Sequence, residues 1–209
     1  MKMVFLGPPG AGKGTLAAMA SSKKGLPHIS TGDLFRAAIK NETELGKKVK
    51  SILAEGRLVP DDLTIALVKE RLSRDDAAKG WILDGFPRTI GQAAALQAID
   101  AAELVVNFDV PDEMILFRLT GRRVCKDCGK IYHVATMPPL REGICDVCGG
   151  PLYTRPDDSK ESIKTRLAAY REQTEPLIDW YGKLGILVTI DGSGSPAAVY
   201  ERFAEVAGA

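Results

Sequence analysis

The chain reads Gly7-Pro8-Pro9-Gly10-Ala11-Gly12-Lys13-Gly14-Thr15 directly after an apolar run, Met3 to Leu6. A helix-like run, Leu16 to Ala20, follows. Glycines allow such a turn to curl so that several N–H groups face one anion, and the next helix adds its positive N-terminal end. Lys13 can reach the outer phosphates of a nucleoside triphosphate. The order of strand, glycine-rich turn and helix therefore predicts a phosphate-binding loop.

One position departs from the usual G-x-x-x-x-G-K-[ST] pattern of such loops. Gly14 follows Lys13, and the hydroxyl comes one residue later, at Thr15. The alternative interpretation is a glycine-rich turn in an unrelated α/β protein. The lysine and the preceding strand favour the phosphate loop.

The overall charge excludes a bulk electrostatic attraction to nucleic acid or to an anionic membrane, because the formal net charge is only +1. Any anion site must therefore come from local placement of arginines. The chain has no apolar run of 18 or more residues and no signal-like segment. We expect a cytoplasmic protein, in which the four cysteines stay reduced and favour metal binding over disulfides.

Five short apolar runs predict buried parallel strands, and helix-period segments separate most of them. This alternation predicts an α/β fold with helices on both faces of the sheet. The strands are predicted at Lys2 to Leu6, Pro27 to Ile29, Trp81 to Asp84, Leu104 to Val110 and Leu187 to Ile190. Ligands bind beyond the carboxyl ends of such strands. The polar segments there should converge: Gly7–Thr15, Ser30–Asp33, Asp84–Arg88 and Asp191–Ser195.

Two segments interrupt the alternation. The first, Ser30 to Val59, contains a helix predicted from about Leu34 to Lys40 and then a second amphipathic stretch. The other, Val124 to Asp157, has little helical period and contains every cysteine, so it is predicted to be a separate small module. A long helix is predicted from about Ser159 to Tyr181, perturbed at Pro176, and the last helix begins near Pro196.

The cysteine module has the spacing of a structural zinc site. Cys125 and Cys128 form one C-x2-C pair, Cys145 and Cys148 form another, and glycine follows each pair. Four thiolate ligands leave no open position, so the metal should stabilise the fold rather than catalyse a reaction. Iron is an alternative occupant. His133 is not needed as a fifth ligand, and a role at the nucleotide or plain surface exposure is favoured for it.

A second set of phosphate-binding residues follows the third strand. The run Gly80-Trp81-Ile82-Leu83-Asp84-Gly85-Phe86-Pro87-Arg88 places a carboxylate at the strand end, where an acid can organise magnesium, often through water. Arg88 can form a bidentate pair with a phosphate. The alternatives are a helix cap for Asp84 and a surface ion pair for Arg88.

Arginines flank both ends of the cysteine module. Arg118 and Arg122 are four residues apart, which predicts one helical face directly before it. Arg155 closes the module, and Arg166 lies inside the next helix. A mobile lid that closes over phosphates would require such an arrangement.

These motifs resemble the adenylate kinase family. The resemblance rests on Gly7 to Thr15, Ser30-Thr-Gly-Asp33, Leu83-Asp-Gly-Phe-Pro-Arg88 with Gln92, and Thr120-Gly-Arg-Arg123. The four-cysteine insert resembles the long-lid, zinc-containing bacterial form. The resemblance implies a five-stranded parallel sheet of the P-loop nucleoside-monophosphate kinase type. It also implies three parts: a core (1–29, 60–120 and 159–209), a segment that binds the nucleoside monophosphate (30–59), and a zinc-containing lid (121–158).

The resemblance also implies the site residues. The family pattern implies ATP contacts at Gly10, Ala11, Gly12, Lys13, Gly14, Thr15, Arg118, Arg122, Ile131, Tyr132 and Gly194. It implies AMP contacts at Thr31, Arg36, Arg57, Leu58, Val59, Gly85, Phe86, Pro87, Arg88, Gln92, Arg155 and Arg166. Thr31 and Gln92 would lie at the adenine, and Arg36 and Arg88 at the AMP phosphate. The catalytic set would be Lys13, Asp84, Arg88, Arg122, Arg155 and Arg166.

The glycine between Lys13 and Thr15 is itself part of the family pattern, so magnesium should rest largely on phosphate oxygens, waters and the Asp84 region. Asp33 is a further candidate for holding such a water, or it caps a helix that begins at Leu34.

The implied reaction is reversible, magnesium-dependent phosphoryl transfer from ATP to AMP, giving two ADP. The expected partners are these nucleotides, with no nucleic acid and no membrane, and a monomer is expected. One alternative is a kinase of UMP/CMP or GMP. A remote one is a non-enzymatic zinc-ribbon protein that binds nucleic acid, although the module offers few aromatic side chains for stacking.

Overall fold

A computed structural model describes residues 1–208 of the chain, and a five-stranded parallel sheet organises them. The strand order is β2-β3-β1-β4-β8, and every neighbouring pair is parallel. The strands of this sheet are β1 (Lys2–Leu6), β2 (His28–Ser30), β3 (Trp81–Asp84), β4 (Leu104–Asp109) and β8 (Leu187–Asp191). All five predicted strands are present, with bounds that differ by one residue for β2, β4 and β8.

Helices cover both faces of this sheet. They are α1 (Lys13–Lys24), α2 (Thr31–Lys40), α3 (Glu44–Ala54), α4 (Asp61–Leu72), α5 (Ile90–Asp100), α6 (Asp112–Thr120), α7 (Lys160–Ala169), α8 (Pro176–Lys183) and α9 (Pro196–Val206). Successive residues of a strand point to opposite faces. Met3 and Phe5 accordingly join one buried cluster, whereas Val4 and Leu6 join another. Because both faces of the sheet are covered, the runs Met3 to Leu6 in β1 and Trp81 to Leu83 in β3 are continuously apolar rather than alternating.

Helix α2 begins three residues earlier than predicted. Its N-cap is Ser30, whose hydroxyl accepts a hydrogen bond from the backbone N–H of Asp33 at 3.3 Å. The alternative interpretation, in which Asp33 caps a helix that begins at Leu34, is therefore wrong. Thr31 and Gly32 lie in the first turn, although neither favours helix interiors.

The long helix predicted from Ser159 to Tyr181 is interrupted before its proline. A wide turn, Tyr170–Thr174, separates α7 from α8, and the N–H of Glu175 bonds to the carbonyl of Tyr170 at 2.8 Å. Pro176 has no N–H to donate, and its ring crowds the carbonyl four residues earlier, so the helix widens on the N-terminal side. The wide turn also buries Thr174, whose hydroxyl donates to the Arg88 carbonyl at 2.8 Å.

The cysteine module forms a small antiparallel sheet of β5 (Arg122–Cys125), β6 (Ile131–His133) and β7 (Leu152–Tyr153), in the order β6-β5-β7. Arg122 lies on β5, so the prediction that it shares a helical face with Arg118 is wrong. Helix α6 ends at Thr120. A side chain at Gly121 would lie 2.2 Å from His133 Nε2, so the chain turns where only glycine fits.

Among residues 1–208, no helix is both long and apolar enough to span a membrane.

Candidate active site

The loop Gly7–Thr15 connects β1 to α1 in the way that the sequence predicts. Gly10 has a φ of 84°, and a Cβ there would lie 2.9 Å from the side chain of Leu119. Gly7 has a φ of 138°, and its Cβ would lie 2.9 Å from the Phe108 carbonyl. The loop therefore needs glycine for both backbone conformation and space. Helix α1 begins at Lys13, so the unpaired N–H groups of its first turn lie next to this loop.

Lys13 lies folded over the loop. Its Nζ donates to the carbonyls of Gly7 at 2.6 Å and Pro8 at 2.8 Å. Burial lowers the pKa of Lys13 to about 8, and the charge of Asp84 only partly counteracts this effect. A phosphate beside Lys13 would supply the negative charge that this buried ammonium needs as a partner.

Asp84 ends β3 beside the loop, and its side chain is 14% exposed. Its Oδ2 lies 3.3 Å from the position of a Cβ at Gly14. A larger residue at position 14 would press on the carboxylate, which explains why glycine rather than serine or threonine follows Lys13. Burial alone would raise the pKa of Asp84, but His28 and Lys13 outweigh that effect and hold it below its ordinary value. The carboxylate is therefore ionised at neutral pH.

His28 is a neighbour of Asp84 that the sequence analysis missed. Its Nε2 lies 3.5 Å from Asp84 Oδ2 and forms no good hydrogen bond within residues 1–208. Only the register of β2 beside β3, in which Ser30 pairs with Asp84, brings the two side chains together. A single histidine on a short apolar strand carries no signal of this pairing.

Seven arginines line one cavity of about 650 Å³, together with Lys13 and Asp84. Five of these arginines belong to the set that the resemblance implies at the phosphates or in catalysis: Arg36, Arg88, Arg122, Arg155 and Arg166. The other two are Arg57 and Arg118. Since the net charge of the whole chain is only +1, this concentration of positive charge is local.

Asp158 holds two of these arginines in place. Its side chain is fully buried, and Arg122 donates to it through Nε at 2.8 Å. Arg166 donates to the same carboxylate at 3.2 Å and to the Asp157 carbonyl at 2.9 Å. The sequence analysis did not assign Asp157 or Asp158 a role, because two acids after a proline are typical of any exposed turn.

Arg88 and Arg155 have too few negative partners. Burial, and then the charge of Arg166, lowers the pKa of Arg88 to about 10. Burial and the charge of Arg36 lower the pKa of Arg155 to about 10. Nε of Arg155 has no hydrogen-bond partner within residues 1–208. A ligand with several negative charges would relieve this repulsion, as a pair of phosphate chains does.

The four cysteines lie together in the cluster that their spacing predicts. Their sulfur atoms lie within 4.8 Å of one another, with 3.4 Å between Cys125 and Cys148 and 3.5 Å between Cys128 and Cys145. A tetrahedral zinc ion with Zn–S bonds of about 2.3 Å requires about 3.8 Å. After each pair the N–H of a glycine returns to the first cysteine's carbonyl: Gly129 at 3.1 Å and Gly149 at 2.9 Å. The cluster fits a structural zinc site.

A sequence model of a known family, described as "Adenylate kinase", matches residues 5–186. The chain belongs to the adenylate kinase family. It is 58% identical over 203 residues to the "Adenylate kinase" of Treponema denticola, and the match covers 97% of each chain. It is 54% identical over 197 residues to the protein of that name from Caldicellulosiruptor saccharolyticus, with 92% of each chain covered. It is also similar to that from Carboxydothermus hydrogenoformans, at 53% over 206 residues and 96% of each chain.

As a member of the adenylate kinase family, the protein is a phosphotransferase that uses a phosphate group as acceptor. The resemblance stated from the motifs is thereby confirmed. The α/β class and the five-stranded parallel sheet are confirmed as well.

The residues expected from the adenylate kinase pattern divide between two neighbouring pockets. The large cavity is lined by Gly10 to Thr15, Arg36, Arg57, Leu58, Asp84, Gly85, Pro87, Arg88, Arg118, Arg122, Ile131, Tyr132, Arg155, Arg166 and Gly194. A smaller, mainly apolar pocket beside it is lined by Thr31, Leu58, Val59, Gly85, Arg88 and Gln92, together with Phe35 and Thr64. Segments far apart in the sequence therefore meet, as the strand-end argument predicts.

Phe86 differs from the other expected residues. Its side chain is 0% exposed and belongs to the apolar cluster that contains Leu83 and Leu96. The peptide bond between Phe86 and Pro87 is cis. A contact between Phe86 and a nucleotide would therefore have to use its backbone.

Arg118 joins the phosphate loop to the loop after β8. Its guanidinium donates to the carbonyls of Ala11 at 3.1 Å, Gly192 at 2.9 Å and Gly194 at 3.4 Å. This contact brings Gly194, which the resemblance implies as an ATP contact, to the large cavity.

His133 is buried rather than exposed on the surface, with 5% of its area accessible. Its Nδ1 accepts hydrogen bonds from the N–H groups of Ala135 and Thr136 at 3.2 Å, so Nε2 carries the proton and donates to the Phe117 carbonyl at 3.1 Å. The expectation of surface exposure is therefore wrong. Both ring nitrogens already have partners, and His133 lies outside the cysteine cluster.

Proposed function

We propose that the protein catalyses reversible transfer of the terminal phosphoryl group of ATP to AMP, giving two ADP, and serves adenine nucleotide homeostasis and salvage. The observation that carries the proposal is the convergence of Lys13 and five arginines between the phosphate loop and a second, smaller pocket. One triphosphate alone does not require positive groups on both sides of the cavity. Two nucleotides that meet through their phosphates do.

We assign the donor nucleotide to the side of the cavity formed by Gly10 to Thr15. Lys13 and the loop N–H groups would hold the outer phosphates, and Arg118, Arg122, Ile131, Tyr132 and Gly194 would line the rest of the ATP site. Their common position along one cavity supports this assignment. The hydroxyl of Tyr132 faces the Cys145 sulfur at 3.4 Å, so its ring, rather than its hydroxyl, is available to ATP.

We assign AMP to the smaller pocket and the adjoining arginines. Thr31, Leu58, Val59 and Gln92 surround the proposed base site. Arg36 and Arg88 would bind the AMP phosphate, with Arg57 and Gly85 to Pro87 nearby. Arg155 and Arg166 would bridge the transferred phosphoryl group, and both line the large cavity.

The proposed division into a core (1–29, 60–120 and 159–209), an AMP-binding segment (30–59) and a lid (121–158) fits the way these parts touch. Arg155 of the lid lies 3.9 Å from Asp33, and Lys40 Nζ lies 3.4 Å from the Lys126 carbonyl. Ser162 of the core donates to the Ala54 carbonyl at 2.8 Å. Both of these contacts between the lid and the AMP-binding segment are long, which suits parts that separate and close around substrates. Arg166 of the core, by contrast, is bonded to Asp157 and Asp158 at the end of the lid.

Magnesium is the proposed cofactor of transfer. Asp84 fits it, since it is an ionised carboxylate that lines the cavity beside the phosphate loop, and oxygen ligands are those that magnesium prefers. When bound with ATP, the ion would neutralise charge on the phosphate oxygens. Asp33 is a further candidate for a water-mediated contact, although its carboxylate already accepts from Arg36 Nε at 3.2 Å.

The residues themselves provide positioning and charge stabilisation. The attacking AMP phosphate is already anionic, so no general base is required. Lys13, Arg88, Arg122, Arg155 and Arg166 would hold the phosphates in line and stabilise the charge that spreads over the transferred group. Closure of the lid would exclude water, which would otherwise accept the phosphoryl group.

Three smaller proposals complete this description. The cysteine site would hold zinc for stability. The protein would act as a cytoplasmic monomer on small nucleotides. It would bind neither nucleic acid nor membranes, in keeping with a net charge of +1.

An ADP-forming assay with AMP, UMP, CMP and GMP as acceptors tests the proposed function. We expect kcat/KM for AMP to exceed that for each other monophosphate by at least about 100-fold, because a base site that pairs with specific polar atoms rejects bases that leave them unpaired. We expect turnover to require magnesium. Equal or higher activity with UMP, CMP or GMP would favour the alternative kinase. A salt-dependent micromolar affinity for DNA or RNA, without turnover, would favour the nucleic-acid-binding alternative.

The lowered pKa of Lys13 predicts that ATP affinity falls as the pH rises above about 8. Below that pH the ammonium is charged and attracts the phosphates, whereas above it the amine is neutral. The Kd for ATP should rise by up to about tenfold per pH unit once Lys13 titrates. Calorimetric titration between pH 7.5 and 9 measures this effect without titrating Arg88 or Arg155, whose pKa values lie near 10.

Lys13→Arg is the matched control, since its guanidinium stays charged across this range. Its ATP affinity should be weaker overall but flat with pH. A wild-type affinity that is also flat up to pH 9 would contradict the role given to Lys13.

A further inference from the structure

Asp61 lies outside the residues that the family pattern assigns to nucleotides, yet it contacts one of them directly. It is the first residue of α4, next to Pro60. Its Oδ1 accepts a hydrogen bond from Gln92 Nε2 at 2.7 Å, and its Oδ2 accepts one from the Thr89 hydroxyl at 2.6 Å. Both carboxylate oxygens therefore accept hydrogen bonds from residues at the start of α5.

The amide of Gln92 is held at both ends. Its Oε1 accepts from the backbone N–H of Arg88 at 2.8 Å, while its Nε2 donates to Asp61. A carboxylate can only accept and a backbone N–H can only donate, so the two partners select the same orientation of the amide. Gln92 is 2% exposed, and an amide turned by 180° would place donor against donor and acceptor against acceptor.

A glutamine amide has two N–H donors and two acceptor lone pairs. Within residues 1–208 the protein uses one of each, so one N–H donor and one acceptor lone pair of Gln92, which lines the small pocket, have no protein partner. The fixed amide therefore offers the base an ordered donor and acceptor pair. Adenine presents an acceptor, N1, beside a donor, the 6-amino group. Hypoxanthine has the same shape but the reverse polarity.

We infer that Asp61 is a positioning residue for acceptor-base specificity: it locks the Gln92 amide in the orientation that pairs with adenine and rejects a 6-oxopurine. This inference rests on the proposed AMP site. Asp61 acts through Gln92 and does not contact the nucleotide. Thr89 completes the lock, because its hydroxyl caps α5 by accepting from the Gln92 N–H at 3.1 Å while donating to Asp61.

The experiment compares AMP with inosine monophosphate as acceptors, since the two differ only in the polarity of the edge that Gln92 would read. For Asp61→Ala we expect the ratio of kcat/KM for AMP to that for inosine monophosphate to fall about tenfold or more, mainly through a higher KM for AMP. The amide would then be held by Arg88 alone, and losing one hydrogen bond to a charged group changes an equilibrium by about this factor.

Two variants serve as controls. Asp61→Asn keeps an acceptor oxygen toward Gln92, and its ratio should stay within about threefold of wild type. Asp62→Ala removes the neighbouring exposed charge from the same helix turn. It therefore loses the same favourable interaction with the helix dipole as Asp61→Ala but leaves the bond to Gln92 intact, so the ratio should be unchanged. If Asp61→Ala does not fold, Thr89→Ala tests the same lock and should lower the ratio by a smaller factor.

A purely structural role of Asp61 would lower both activities equally and leave the ratio unchanged, and that result would overturn the inference. So would an Asp61→Asn ratio as low as that of Asp61→Ala. If the wild-type protein prefers AMP and the ratio is unchanged in Asp61→Ala, the inference about Asp61 is overturned while the proposed adenine site stands. A wild-type protein without preference between the two acceptors would overturn the proposed adenine site as well.

Discussion

Replacing Arg88 with alanine is expected to lower kcat about 10³-fold with little change in melting temperature. In the proposed site Arg88 binds the AMP phosphate and stabilises the charge of phosphoryl transfer, a role in which a single group contributes about 4 kcal/mol. Its contribution to the fold is small, because Nε donates only to the Gly85 carbonyl at 2.8 Å. Its nearest charges include Arg166, which repels it.

Arg74→Ala is the matched control for this variant, since Arg74 is an exposed arginine paired with Glu70 on the protein surface. It should keep wild-type kcat. Steady-state kinetics with AMP and a thermal melt of each protein make the comparison. An Arg88→Ala protein that unfolds, while the folded fraction keeps full specific activity, would contradict the proposed role.

Removal of the metal from the cysteine site should lower the melting temperature by about 10 °C or more and leave turnover at low temperature largely intact. The lid has a very small core of its own: Cys125, Tyr132, Cys145 and the half-buried Leu152. Zinc binding would therefore supply much of its folding free energy, and a loss of about 3–4 kcal/mol shifts the melting temperature by about 10 °C in a chain of this size. Chelation followed by calorimetry and a cold activity assay measures both effects.

Cys145→Ser should reproduce the effect of chelation, whereas Val147→Ala should not, because Val147 lies in the same turn but is 69% exposed. If turnover vanished on chelation while the lid stayed folded, the closed, structural interpretation of the four thiolates would be wrong.

The sequence predicts those parts of the site in which the residues of one short segment determine the conformation of that segment. The loop before Lys13 and the run from Asp84 to Arg88 each contain a strand end, a glycine and the chemical group itself. The two C-x2-C pairs likewise predict their own turns. Such segments can be recognised because their conformation depends on neighbours in the chain.

The features that the sequence analysis missed or placed wrongly depend on residues distant in the chain or on backbone details. His28 meets Asp84 only through strand register, and Asp61 meets Gln92 only because α4 packs beside α5. The spacing of Arg118 and Arg122 predicts one helix, but α6 ends at Thr120 and Arg122 begins a strand. The start of α2 was placed too late because Leu34 is its first apolar residue after the cap, whereas its hydrogen bonds begin at Ser30.

The ion pair between Arg122 and Asp158 has a consequence for the modularity of the chain. These two residues stand where the cysteine module leaves the core and where it returns, and their 2.8 Å contact fastens the two ends together. The core therefore sees the two ends of the module held together by this ion pair, whatever sequence lies between Arg122 and Asp158. Closing a longer loop is entropically cheap, at about 0.6 kcal/mol per doubling of its length. The segment between Arg122 and Asp158 can thus be lengthened, shortened or stabilised by something other than a metal site without altering the parallel sheet that carries the phosphate loop.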